Sequence, residues 1–207
     1  KFYFFPIGSS IIGVFVCSLV VIAYSNIHEM KERSKLEVAF SKYFSPSVLE
    51  TVLNDMDAYT PEVGKKTDAT VLFCNIQKFT EITEKYPVDN IMSFLSNYFD
   101  NMIKEVHRSD GTVLKIFGNM LMAFWNSPIQ VPDHPLRAVQ AALRMQTKLH
   151  ILNENWRHNG FPSIDITIGI NTGNMIIGNV GSKKRLEYTA IGDQVNLAGR
   201  LDELCPI

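Results

Sequence analysis

The residues best placed by type and spacing to carry chemistry are few. Asn196 and Arg200 lie four apart, which sets an amide and a cation on one face of a helical turn. In FCNIQKFT, Phe73 to Thr80, an apolar run passes into a helical pattern. The main-chain N–H groups of Ile76, Gln77, Lys78, Phe79 and Thr80 would then open a helix, the arrangement that cradles phosphates. Lys115 and Thr189 sit in strand-like runs, a cation and a hydroxyl able to meet polar edges of a ligand. Each has an ordinary alternative: a solvated strand lysine, a β-branched strand residue, a polar helix face. The five histidines show no HExxH spacing, and Cys17, Cys74 and Cys205 are isolated and odd in number. A zinc site and a disulfide framework are therefore not expected, and a reducing cytosolic setting fits.

The elements that must hold these residues can be read from periodicity. Ala69 to Cys74 is too short for a helix and suits a buried strand. Ile91, Phe94, Leu95, Tyr98, Met102 and Val106 recur at helical intervals up to the turn Asp110-Gly111. Thr112–Ile116 and Leu121–Trp125 flank Gly118-Asn119, a hairpin signal, and 128–135 reads as a loop. Ala138, Ala141, Ala142, Met145, Leu149 and Leu152 mark another helix, with Pro135 near its start and Gly160 past its end. Ile164, Ile166, Ile168 and Ile170 alternate as a strand; Asn171-Thr172-Gly173 predicts a turn, and Met175-Ile176-Ile177 a further strand. Asp193 reads as a helix N-cap. The order predicts an α+β fold, a ferredoxin-like split βαβ sheet, largely antiparallel, with helices on one face.

Upstream, no charged side chain occurs from Phe2 to Ile27, a run long enough at about 1.5 Å per residue to cross a ~30 Å hydrocarbon layer. Residues 1–27 are read as a transmembrane helix. Lys31, Arg33 and Lys35 follow it, against Lys1 alone before it, which predicts a cytoplasmic C-terminal side. Residues 28–66 read as an amphipathic signalling helix, broken at Ser45-Pro46, and a linker; 67–207 form the globular domain. Twenty basic against 21 acidic residues leave a formal charge of −1, with no clustered excess of positive charge to suit nucleic acid.

Three stretches together resemble the class III adenylyl and guanylyl cyclases. They are FCNIQKFT, GTVLKIFGNMLMAFW (Gly111 to Trp125) and INTGNMIIGNVGSKKRLEYTAIGDQVNLAGRL (Ile170 to Leu201). Their order and spacing carry the likeness from Thr67 to the last residue. The resemblance implies attack of the ribose 3′-hydroxyl of ATP on its own α-phosphorus, giving cyclic AMP and pyrophosphate at a dimer interface with two Mg²⁺ or Mn²⁺ ions. Lys115 corresponds to the position facing N1 of adenine and Thr189 to the one accepting from its amino group. Asn196 and Arg200 correspond to the pair that orients the ribose and meets charge building on the phosphate. Arg185 can approach the phosphates as well. The resemblance also implies further strands beyond Ile207.

At the two places where the family carries metal-binding aspartates, this chain has Asn75 and Asn119; the Ile76 carbonyl is the third expected metal contact. Each change replaces a charged oxygen by a neutral one. In the family one chain supplies the metal and phosphate half of a site and its partner supplies the other half. Three roles remain open: a cyclase silenced by two near-isosteric changes, a half-site subunit working beside an aspartate-bearing chain as a heterodimer, or a scaffold. Gln77-Lys78, Leu114 and Gly199 also depart from the common pattern.

Overall fold

A computed structural model describes residues 7–41, 44, 46–54, 64–182 and 185–205. The chain divides into two compact units, Lys1–Phe40 and Ser41–Ile207. The first is a single helix, α1 (Ile7–Phe40), and every side chain described in it from Val14 to Ser25 is exposed. Among the described residues no helix is long and apolar enough to cross a membrane.

In the second unit α2 (Pro46–Asn54) opens where the break at Pro46 was predicted, and it buries Val48. The linker expected after it, residues 55–63, lies outside the described residues, as do Ser45, Lys183 and Lys184. Then follow β1 (Lys65–Ile76), α3 (Phe79–Lys85), α4 (Val88–His107), β2 (Thr112–Phe117), β3 (Met120–Trp125), α5 (His134–His158), β4 (Ile166–Ser182), β5 (Arg185–Ile191) and α6 (Asp193–Glu203). The five strands form one sheet in the order β2-β3-β1-β4-β5, with every pairing antiparallel. This is the predicted split βαβ arrangement, extended by β5.

Alternation along β1 explains the layers. Leu72, Cys74 and Ile76 point to one face, where they join Phe94, Tyr98 and Met102 of α4 and Met145, Leu149 and Trp156 of α5. Ala69 and Val71 point to the other, with Val195 and Ala198 of α6. Helices therefore cover both faces, which corrects the one-sided expectation. Because β1 is central and apolar on both sides, α6 must shield the second face from water.

A second correction concerns Asn171-Thr172-Gly173. No turn forms there: β4 is one strand of 17 residues. It pairs β1 without interruption from Ile166↔Ile76 to Ile177↔Lys65. The turn-forming amide is used otherwise, since Asn171 Nδ2 donates to Gln194 O at 3.0 Å and to Gln194 Oε1 at 2.7 Å, tying β4 to α6. The cap of α6 is Gly192, not Asp193, which is exposed in the first turn.

Helix α6 also lies directly on Gly169 of β4. A Cβ there would stand 2.1 Å from the Ala198 carbonyl oxygen and 2.5 Å from the Asp202 nitrogen, contacts only glycine avoids. Gly169→Ala is expected to destabilise the folded chain by about 2–3 kcal/mol, because backbone on both sides must shift. Denaturant unfolding in detergent micelles measures it; an unchanged midpoint would mean that α6 is free to slide.

Candidate active site

The end of β1 and the tip of the β2–β3 hairpin are forced together by register. Asn75 faces Met120, so the preceding residue, Asn119, lies against Ile76. Gly118 takes the left-handed φ of 60° that the tight tip requires. The Ile76 N–H donates to the Asn119 carbonyl at 3.1 Å. In return Asn119 Nδ2 donates to the Ile76 carbonyl at 2.9 Å and to Asn75 Oδ1 at 2.5 Å. The partly positive hydrogens of one amide thus stand between the oxygens of the other two groups.

That arrangement tests whether these residues suit a metal. A pair of dications calls for anionic oxygens, whereas here both side chains are neutral carboxamides and both N–H bonds of one amide satisfy the local acceptors. Turning the Asn119 amide over would gather three oxygens but still no charge. Among the described residues no group of three or more histidines, cysteines or carboxylates could hold a metal. The donor set does not fit two divalent ions.

The phosphate turn is also narrower than the sequence implied. The Ile76 and Gln77 N–H groups are used inside the fold, the second by the Asp165 carbonyl at 2.9 Å. Lys78 adopts a left-handed φ of 52° as the cap of α3. The N–H groups of Lys78, Phe79 and Thr80 are left as the ones that open a helix without an intrahelical acceptor. The Gln77 side chain turns back into the protein and donates to Thr167 Oγ1 at 2.6 Å.

Lys115 sits beyond a register shift between Val113 and Lys115 in β2, a bulge that sends its side chain outward while Leu114 stays buried. Its Nζ lies 2.6 Å from Glu187 Oε1. The partners come from opposite edges of the sheet, so twist and curl must bring β5 across toward β2. Ring contact of Tyr188 with Phe124, centroids 6.1 Å apart, accompanies the approach. Glu187 precedes Thr189 by two residues, so the two project from the same side of β5. Sequence reading missed Glu187; the alternation within Glu187-Tyr188-Thr189 was the available signal.

Asn196 and Arg200 share the exposed side of α6, opposite Val195 and Ala198. The Arg185 side chain lies outside what is described. The structure therefore gathers Asn75, Ile76 and Asn119 in one cluster, Lys115, Glu187 and Thr189 in a second, and Asn196 with Arg200 in a third. Among the described residues the three sets form separate clusters within one chain.

A buried polar line runs behind them. Thr167, register partner of Asn75, accepts from Gln77 and bonds Asp202 of α6. Asp202 is buried and its Oδ1 has no partner. Burial raises its pKa from the ordinary aspartate value, the Thr167 hydrogen bond opposes this, and Glu203 adds to it. Deeper, burial pushes the Cys74 thiol up to about 12, which makes it inert beside Tyr98.

Comparison with known proteins places this geometry. The family model "Adenylate and Guanylate cyclase catalytic domain" matches residues 62–205. Adenylate cyclase 1 of Rhizobium meliloti is 36% identical over 137 residues, 66% of this chain and 21% of that protein. The terminal-differentiation specific adenylate cyclase of Dictyostelium discoideum is 36% identical over 169 residues, 81% of this chain and 7% of that protein. The chain thus spans a small part of these relatives. Among solved structures the adenylyl cyclase CyaB of P. aeruginosa superposes with a TM-score of 0.66 at 33% identity, covering 68% of this chain and 73% of that one. The guanylyl cyclase Cya2 gives 0.65 at 30%, covering 68% and 72%.

The shifted Asp202 has a consequence for stability. Its folded pKa lies above the unfolded one, so the stability it contributes is fully present below the unfolded value and is lost as pH rises through the folded value. At pH 7 the buried carboxylate is a cost. Asp202→Asn, which keeps an acceptor for Thr167, is expected to raise the unfolding midpoint at pH 7. That advantage should vanish as pH falls toward 3.8, and a constant difference across the range would contradict the assignment.

Proposed function

The chain belongs to the adenylate and guanylate cyclase catalytic domain family, and from that premise we propose that it is an adenylyl-cyclase-type subunit that carries one half of the active site. It binds ATP at a dimer interface with a partner that supplies the metal carboxylates. The observation that carries this reading is the amide of Asn119 bridging Asn75 Oδ1 and the Ile76 carbonyl. The donor set at the end of β1 is neutral and already satisfied, while the base, ribose and phosphate positions keep residues suited to their tasks.

In that half, Lys115 donates to N1 of adenine and Thr189 accepts from the amino group, a pairing that guanine, with a donor at N1 and an acceptor at C6, would leave unmet. Glu187 holds the lysine extended beforehand, which lowers the entropy lost when the base binds. Asn196 orients the ribose, and Arg200 meets the negative charge that builds on the α-phosphate as the 3′-hydroxyl attacks. Two copies of this chain assemble sites without metal carboxylates, so the homodimer is the impaired state and a heterodimer with an aspartate-bearing chain the competent one. The family's ions belong to that partner's half, and no step here is routed through Asn75 and Asn119.

The uncharged run Phe2–Ile27, continuous with α1 from Ile7 onward and exposed wherever its side chains are described, supports a membrane anchor with the cyclase domain on the cytoplasmic side. Flotation of the chain with phosphatidylcholine vesicles checks it: residues 1–27 are expected to be required for co-flotation. Equal flotation after their removal would contradict the anchor.

Catalysis is tested by complementation. The chain alone is expected to form cyclic AMP roughly a thousandfold more slowly than its Asn75→Asp/Asn119→Asp form, for about 4 kcal/mol of lost transition-state stabilisation. Mixing the original chain with an aspartate-bearing chain that carries Asn196→Ala and Arg200→Ala is expected to restore activity. Failure of the mixture while the double revertant works would leave a silenced homodimer. ATP binding in none of these would sink the half-site reading.

A further inference from the structure

A cavity lies at the opposite end of β1 from the carboxamides. It has a volume of about 630 Å³, within the range of small-molecule sites. Lys65 and Lys66 at the start of β1, Asn126 and Ser127 after β3, Ile177 of β4 and Tyr188 of β5 contribute to its lining. From Asp68, also on its wall, to Asn75 the strand advances seven residues, roughly 23 Å, so this is a separate place from the candidate active site.

Its wall is built, not casual. Asn126 holds a left-handed φ of 76°, and its side chain fastens two segments, donating to the Asp68 carbonyl at 2.8 Å and accepting from the Val131 N–H at 2.5 Å. A non-glycine residue held in that region is a constraint maintained by its surroundings. Next to it the Ser127 and Tyr188 hydroxyls lie 3.1 Å apart, and Thr112 Oγ1 donates to the Ser127 carbonyl at 3.1 Å. Burial raises the pKa of Tyr188, so its phenol stays protonated at neutral pH. Charge sets the ligand's sign: two ammonium groups stand against the single Asp68 carboxylate. The half-buried Tyr188 ring supplies apolar surface.

Tyr188 also connects this cavity to the cluster of Lys115, Glu187 and Thr189. In a strand, neighbours project from opposite sides, so Glu187 and Thr189 face away from the side on which Tyr188 meets the cavity. We propose that the cavity binds a small organic anion, its head at Lys65 and its apolar body on the Tyr188 ring, and that occupancy is transmitted through β5 to Glu187 and Thr189. The second half rests on the role proposed for Lys115 and Thr189; the first stands without it.

The probe is phenyl phosphate, with phenol as its neutral counterpart, observed by saturation-transfer NMR on the full chain in detergent micelles. At millimolar concentration phenyl phosphate is expected to bind, phenol at least tenfold more weakly. Lys65→Ala/Lys66→Ala, exposed positions that leave the core intact, should weaken phenyl phosphate at least tenfold, and Arg200→Ala should leave it unchanged. Tyr188→Phe, which keeps the ring, should retain part of the affinity. Equal binding of phenol, or loss on Arg200→Ala with retention in the lysine variant, overturns the site, as does no binding at all. For the link through β5, phenyl phosphate should change ATP affinity at least threefold in the original chain and not in the lysine variant. An unchanged ATP affinity overturns that link. Absence of ATP binding itself counts against the functional reading and not against the cavity, which phenyl phosphate reports directly.

Discussion

Everything in the globular unit hangs from the double pairing of β1. Its neighbours β3 and β4 hydrogen-bond it on both edges, and apolar residues alternate to both faces. A strand so enclosed satisfies its backbone only if its partners run antiparallel beside it, and it stays dry only if helices cover both sides. The first demand fixes the hairpin tip against Ile76. The second brings α6 down onto Gly169, with Asn196 and Arg200 on the side left facing solvent. Chemistry-bearing residues distant in sequence are positioned as consequences of enclosing one strand.

The carboxamides then have a structural logic apart from catalysis. Two aspartates where Asn75 and Asn119 stand would hold like charges within a few ångströms, an arrangement that needs cations or protons between them. Two amides need neither, because one donates what the other accepts. The hairpin tip is consequently closed onto β1 by bonds internal to the chain, including the reciprocal pair between Ile76 and Asn119. The tip is therefore held in place without an ion.

Much of this was legible in the sequence where local patterning and tertiary demand agree. The apolar run before Asn75, the Gly118-Asn119 tip and the helical spacing of α4 and α5 all predicted their elements, because burial and turn chemistry favour the same local conformation. Asn171-Thr172-Gly173 shows the opposite case. Its composition suits a turn, but twelve consecutive pairings with β1 keep β4 extended and assign the Asn171 amide to Gln194. Helix α6 on the far face was illegible for a related reason: its apolar positions say that it packs, not on which side. Glu187 was missed because a charged residue in an edge strand reads as solvated until β5 is known to curl toward β2. Ile76 and Gln77 as phosphate donors failed because their acceptors, Asn119 and Asp165, are remote in sequence.

The line from Gln77 through Thr167 to Asp202 joins two groups of candidate residues. Gln77 stands in the turn between β1 and α3, while Asp202 lies on α6, the helix that carries Asn196 and Arg200. The connection is short, buried and polar, so its geometry is set by hydrogen-bond directions more tightly than apolar contact would set it. The glycine contact at Gly169 adds a steric stop beside it. Shifting α6 along β4 therefore disturbs either that stop or the bond to Thr167. If α6 cannot slide independently, a displacement of the phosphate turn must be absorbed at Gln77 or passed on through Thr167. Two groups of candidate residues that form separate clusters are thus still mechanically connected within one chain.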